Sequence, residues 1–117
     1  MTRYYADTYA LVEILRGNPA YEEYASRELV TSEFNLLELA YALTRDYGKE
    51  KAVDILKIAR AFITIIKPTN EDYVEASALR IELNRQGKNL SLIDALGYCL
   101  QNASRYHSLR ATVNSKN

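Results

Sequence analysis

Three carboxylates in this chain each interrupt an apolar stretch. Asp7 follows Tyr4-Tyr5-Ala6. Glu38 sits inside Phe34-Asn35-Leu36-Leu37-Glu38-Leu39-Ala40, and Asp94 inside Leu90-Ser91-Leu92-Ile93-Asp94-Ala95-Leu96-Gly97. A carboxylate with apolar neighbours is costly to bury unless it is hydrogen-bonded or faces a cation. Cation binding is therefore the chemistry to test at these positions, and each acid also has a structural reading. Asp7 is placed to cap a helix beginning at Thr8. Glu38 suits the solvated face of an amphipathic helix. Asp94 lies one helical turn after Ser91, the spacing of a variant capping box.

Other chemistry-bearing residues are less informative. The remaining acids, such as Glu22, Glu23, Asp46, Asp54, Glu75 and Glu82, have basic or polar neighbours and read as solvated charge. His107 is the sole histidine and has no orienting partner in sequence, which reads as a surface residue rather than a general base. The ten tyrosines are scattered and read as packing residues with a hydrogen-bonding tip.

The elements that would position the three acids follow from periodicity and caps. Residues 4–6 read as a buried strand, and 8–16 as a helix closed by Gly17. Asn18-Pro19 opens another short helix, with Asn as cap and Pro at the first helical position. Residues 28–31 form a second strand. Ser32 caps a helix to about Tyr47, whose apolar stripe is Leu36, Leu39, Ala40 and Leu43, with Gly48 at its end. Residues 49–61 form the next helix. Residues 62–66, β-branched and aromatic before Pro68, make the strongest strand signal in the chain. Thr69 or Asn70 caps a helix to about Arg85, and Gly87 breaks it. Ser91 caps a helix from Leu92 to about Ala103, and residues 109–113 read as a fourth strand. Strands alternating with helical stretches long enough to cross over predict a parallel sheet covered on both faces. Ligands of such sheets sit beyond the carboxyl ends of the strands, where Asp7 and Asn114 fall.

Composition narrows the class. A chain of 117 residues suits one domain, here residues 1–117. A formal net charge of zero supplies no global attraction for nucleic acid, so RNA binding needs a local basic patch or a bound metal. Arg45, Lys49 and Lys51, and near the other end Arg105, Arg110 and Lys116, are the basic residues available. Zero net charge leaves self-association unopposed, and a homodimer is expected. The single cysteine, Cys99, cannot form an internal disulfide and reads as a small core hydrophobe of a reduced, cytoplasmic protein. No signal peptide or membrane-length apolar run is present in the sequence.

Taken in order, the acidic blocks resemble those of the PIN domain family, and in size the chain is similar to VapC-type toxins. Asp7-Thr8 at a strand end looks like the first block. Thr31-Ser32 with Glu38-Leu39 looks like the second, and Ser91-Leu92-Ile93-Asp94-Ala95-Leu96 like the third. The family's fourth acid stands in a stretch reading roughly Thr-Gly-Asp-Lys-x-Phe. Here Thr112-Val113-Asn114-Ser115-Lys116-Asn117 takes that place, with Asn114 at the acid's position.

The resemblance implies a three-layer α/β/α sandwich around a parallel sheet of about four strands, with the family's last strand absent. It implies a Mg²⁺- or Mn²⁺-dependent endoribonuclease, the toxin of a toxin–antitoxin pair, with an RNA substrate and a cognate antitoxin. Asp7, Glu38 and Asp94 would hold the metal, Asn114 would be a weak, uncharged ligand, and Thr8, Ser91 and Thr112 would support the site. Loss of the fourth charge implies impaired activity, whether the chain is a shortened member or its site has decayed. The alternative is a non-catalytic RNA- or protein-binding module. An aspartyl-phosphate phosphatase is disfavoured, because Asp7-Thr8-Tyr9 lacks a second Asp two residues on.

Overall fold

The computed structural model describes residues 3–102 and 107–108. Four parallel strands, β1 (Arg3–Tyr5), β2 (Glu28–Ser32), β3 (Ile63–Ile66) and β4 (His107–Ser108), form one sheet in the order β3-β2-β1-β4. Between them run α1 (Thr8–Leu15), a 3-10 helix (Pro19–Tyr24), α2 (Glu33–Tyr47), α3 (Lys49–Phe62), α4 (Asn70–Arg85) and α5 (Leu92–Gln101). The register sets Tyr5 opposite Val30, and Val30 opposite Thr64.

Period-2 alternation along the strands divides the core into two layers. Tyr4, Ala6, Leu29, Ile63 and Ile65 pack with the buried residues of α1, the 3-10 helix, α2 and α3. Their immediate neighbours Tyr5, Val30 and Ile66 pack on the other side with Ala76, Ala95, Leu96 and Leu100 of α4 and α5. The result is the expected α/β/α sandwich. On α2, Leu36, Leu39 and Leu43 turn inward as the sequence pattern requires.

Caps fix most element boundaries. Ser32 Oγ accepts from Asn35 N at the start of α2. Thr69 and Asp72 make a reciprocal capping box at α4, with Thr69 N donating to Asp72 Oδ2 at 2.8 Å and Asp72 N to Thr69 Oγ1 at 3.2 Å. Gly48 turns the chain from α2 into α3 at φ 85°, a conformation with little penalty only for glycine.

Two expectations shift. The 62–66 stretch, the strongest strand signal, is an edge strand, and it loses Phe62 to the end of α3, where that ring is exposed. Helix propagation carried one residue further than the β-propensity of Phe62 suggested. The fourth strand is seen at His107–Ser108, paired with Tyr4 and Tyr5, ahead of the expected 109–113. That expected stretch, with Thr112 and Asn114, lies outside the described residues. Among the described residues no helix is long and apolar enough to cross a membrane.

Candidate functional site

Asp7 stands just past the carboxyl end of β1. Ala6 N donates to Val30 O at 2.9 Å, and Thr31 Oγ1 donates to Ala6 O at 2.7 Å, which ties the ends of β1 and β2 together. Asp7 then leaves the strand in an extended conformation, and its Oδ1 accepts from Ala10 N at 2.9 Å. It is a helix cap, as the structural reading held, and at 9% exposure it is also a carboxylate held at the ligand-binding edge of the sheet.

Because β2 lies beside β1, α2 starts next to α1. Asn35 and Glu38 are one turn apart on α2 and so share a face. Thr8, in the first turn of α1, meets both. Its Oγ1 donates to Glu38 Oε1 at 2.7 Å and accepts from Asn35 Nδ2 at 3.1 Å. Asn35 Oδ1 in turn accepts from Ser32 Oγ at 2.8 Å and from the Tyr5 hydroxyl. Glu38 is half-buried, not on a fully solvated face. Burial pushes the Tyr5 hydroxyl above its ordinary pKa. Asn35 and Tyr5 were not among the expected site residues. A signal did exist: an Asn inside Phe34-Asn35-Leu36-Leu37, four residues before the buried Leu39, must turn its amide inward.

Asp94 corrects an expectation. Its apolar surroundings in sequence suggested burial, yet it is exposed. Helical geometry directs Ala95 and Leu96 into the core and leaves Asp94 outward in the first turn of α5. Only half of the capping box forms: Ser91 Oγ accepts from Asp94 N at 3.0 Å, and the Asp94 carboxylate makes no hydrogen bond or ion pair among the described residues.

The three acids nonetheless line one cleft of about 850 Å³, together with Thr8, Tyr41 and Arg45. All three offer hard oxygen donors, which suits Mg²⁺ or Mn²⁺ in kind. Among the described residues no three acid, histidine or cysteine side chains stand close enough to clasp one ion. A hard ion that retains several of its own waters fits this donor set better than a fully dehydrated one.

The rim is aromatic and basic. Leu37 and Tyr41 are 67% and 69% exposed, and the Arg45 guanidinium carbon lies 5.9 Å from the Tyr41 ring centroid. Arg45 Nε also donates to Asp46 Oδ1 at 2.9 Å, and this bond, with help from Arg16, holds the Asp46 carboxyl below the usual carboxylate range. Of the other basic residues singled out in sequence, Lys49 and Lys51 are exposed on α3 and do not line the cleft. Arg105, Arg110 and Lys116 lie outside the described residues.

The fold has close counterparts among solved structures. The Sarcin-Ricin loop cleaving toxin VapC20 of Mycobacterium tuberculosis superposes with a TM-score of 0.71 at 16% identity, covering 97% of this chain and 95% of that one. VapBC2 of Rickettsia felis, bound to a DNA fragment from its promoter, gives 0.71 at 21% identity over 92% and 86%. DNA-bound VapBC of Salmonella typhimurium gives 0.71 at 14% identity over 98% and 92%. At such identities the likeness is one of fold. No curated protein sequence matches the chain. The sequence pattern of the PIN domain matches residues 4–100, a span holding Asp7, Glu38 and Asp94, and so the chain belongs to the PIN domain family.

Proposed function

We propose that this protein is a divalent-metal-dependent endoribonuclease of the VapC toxin type, kept in check by a cognate antitoxin. The observation that carries the reading is the gathering of Asp7, Glu38 and Asp94 around one cleft at the carboxyl edge of the sheet. A Mg²⁺ or Mn²⁺ ion bound there would activate water and offset charge developing on the phosphoryl and leaving oxygens. Asp7 and Glu38 would supply fixed negative charge, their carboxylates already oriented by Ala10 N and by Thr8. Asp94 would face them from α5. Tyr41 and Arg45 at the rim offer a ring face and a cation to the RNA chain.

Asn114 takes the place of the family's fourth acid. Its amide oxygen can coordinate but carries no charge, so activity should be weak and metal binding stronger than turnover. That same residue favours the second reading, a non-catalytic module that binds RNA or protein. The fold shared with VapBC toxin–antitoxin structures supports an antitoxin partner, and the exposed Leu37 and Tyr41 at the rim suit a docked helix or extended segment. A second copy of the chain is a further proposed partner, since zero net charge does not oppose pairing. Sedimentation of the purified protein tests it.

The deciding experiment is cleavage of a mixed RNA pool with Mn²⁺ and with Mg²⁺, comparing wild type with Asp7→Asn. Loss of cleavage in the variant is the expected result, and equal activity would end the metal-dependent reading. Higher activity in Asn114→Asp would place the weakness at the missing charge. Ion binding without cleavage in any of these proteins would favour the non-catalytic module.

A further inference from the structure

We infer that Asn35 is a positioning residue for Glu38, acting through Thr8; the inference rests on the metal role proposed for Glu38. Asn35 is 3% exposed, so its amide must find every partner inside the protein. An amide oxygen only accepts and an amide nitrogen only donates. Asn35 Oδ1 receives two hydroxyl hydrogens, one from Tyr5 and one from Ser32. The Tyr5 and Ser32 hydroxyls could accept from a reversed amide, but its oxygen would then take the single Thr8 hydrogen and leave two bare oxygens facing each other across the 2.7 Å Thr8–Glu38 contact.

The amide nitrogen therefore has to face Thr8. Once Thr8 Oγ1 accepts from Asn35, its single hydrogen is free to be given away. Two acceptors are in reach: Asn35 O at 3.4 Å and Glu38 Oε1 at 2.7 Å. The shorter contact, to a charged oxygen, is the stronger. The chain Tyr5 to Asn35 to Thr8 to Glu38 thus runs in one direction only. A hydroxyl alone could rotate away from the carboxylate, and Asn35 removes that freedom. Glu38 is oriented before any ion or RNA arrives, the task expected of groups standing behind a metal ligand.

The test measures Mn²⁺ affinity by calorimetry and apo-protein melting in parallel, on Asn35→Ala, Thr8→Val, the double variant, Thr8→Ser and Glu38→Gln. Asn35→Ala should weaken Mn²⁺ binding by about tenfold or more, the usual loss when such a supporting group is removed. In RNA cleavage it should lower kcat with KM little changed. Thr8→Val should match it, the double variant should be no worse than either single one, and Thr8→Ser should restore affinity. Asn35→Ala that melts lower but binds Mn²⁺ as wild type does would overturn the role, leaving Asn35 as packing only. So would additive losses in the double variant. If Asn35→Ala does not fold, the Thr8 pair decides: wild-type affinity in Thr8→Val overturns the relay. Glu38→Gln keeps the two levels separate. Unaltered Mn²⁺ binding there means that the site reading itself has failed, whereas a loss there with none in Asn35→Ala means that only the positioning role has.

Discussion

The two walls of the cleft are built differently. On the α1–α2 wall, Asp7 is tied to Ala10 N, and Glu38 is tied through Thr8 to a buried amide. On the α5 wall, Asp94 gives its backbone N–H to Ser91, and its carboxylate stands in solvent. The walls meet across Tyr5 of β1, where a methyl group built on Gly97 of α5 would make ordinary contact with the ring, 3.7 Å from Cε1. One wall thus carries charge that is already oriented, and the other carries charge that is free to adjust.

Substitutions can break that contrast. The largest expected effect is on cleavage: Glu38→Gln or Asp7→Asn should lower the rate by roughly 10³-fold, since several kcal/mol of charge stabilisation rest on the metal. Single-turnover assays on a fixed RNA would read it. Asp94→Asn should cost less than either, because a mobile carboxylate is more easily replaced by water. An equal loss would mean that α5 is as firmly oriented as α2.

Stability should divide the walls in the same direction. Asp7→Ala removes a helix cap and should cost about 1 kcal/mol. Asp94→Ala removes an exposed carboxylate without partners among the described residues and should stay within about 0.5 kcal/mol of wild type. Urea unfolding without metal compares the two, and similar losses would mean that the Asp7 cap adds nothing beyond an exposed carboxylate.

The smallest effect is a thiol reaction rate. Burial pushes the Cys99 thiol up, and nearby Glu75 and Asp72 add to the shift. The thiolate is the reactive form, so alkylation of native protein at pH 8 should be slower than that of a free cysteine and should rise as pH increases past the ordinary thiol range. A rate equal to that of free cysteine would contradict the upward shift at Cys99.

How much of this was readable beforehand varies by residue. Asp7 could be placed at a strand end because an apolar run stops there and a helix follows. Glu38 could be placed on α2 because Leu36, Leu39 and Leu43 set the phase of that helix. Asp94 was located correctly along the chain and wrongly in depth, since apolar neighbours in sequence need not be neighbours in space. Asn35 was passed over altogether, although its side chain hydrogen-bonds to Tyr5, Ser32 and Thr8.

Local pattern alone was enough for the order of strands and helices along the chain, for the caps at Asp7, Ser32 and Ser91, and for the parallel character of the sheet. These depend on patterns that repeat within a turn or a pleat. Tyr5 meets Asn35, and Thr8 meets Glu38, through the packed fold alone, since each pair is 30 residues apart along the chain. Such contacts depend on which strands lie side by side and which faces their helices turn inward. That is settled by how the two core layers pack, not by any local spacing of residues.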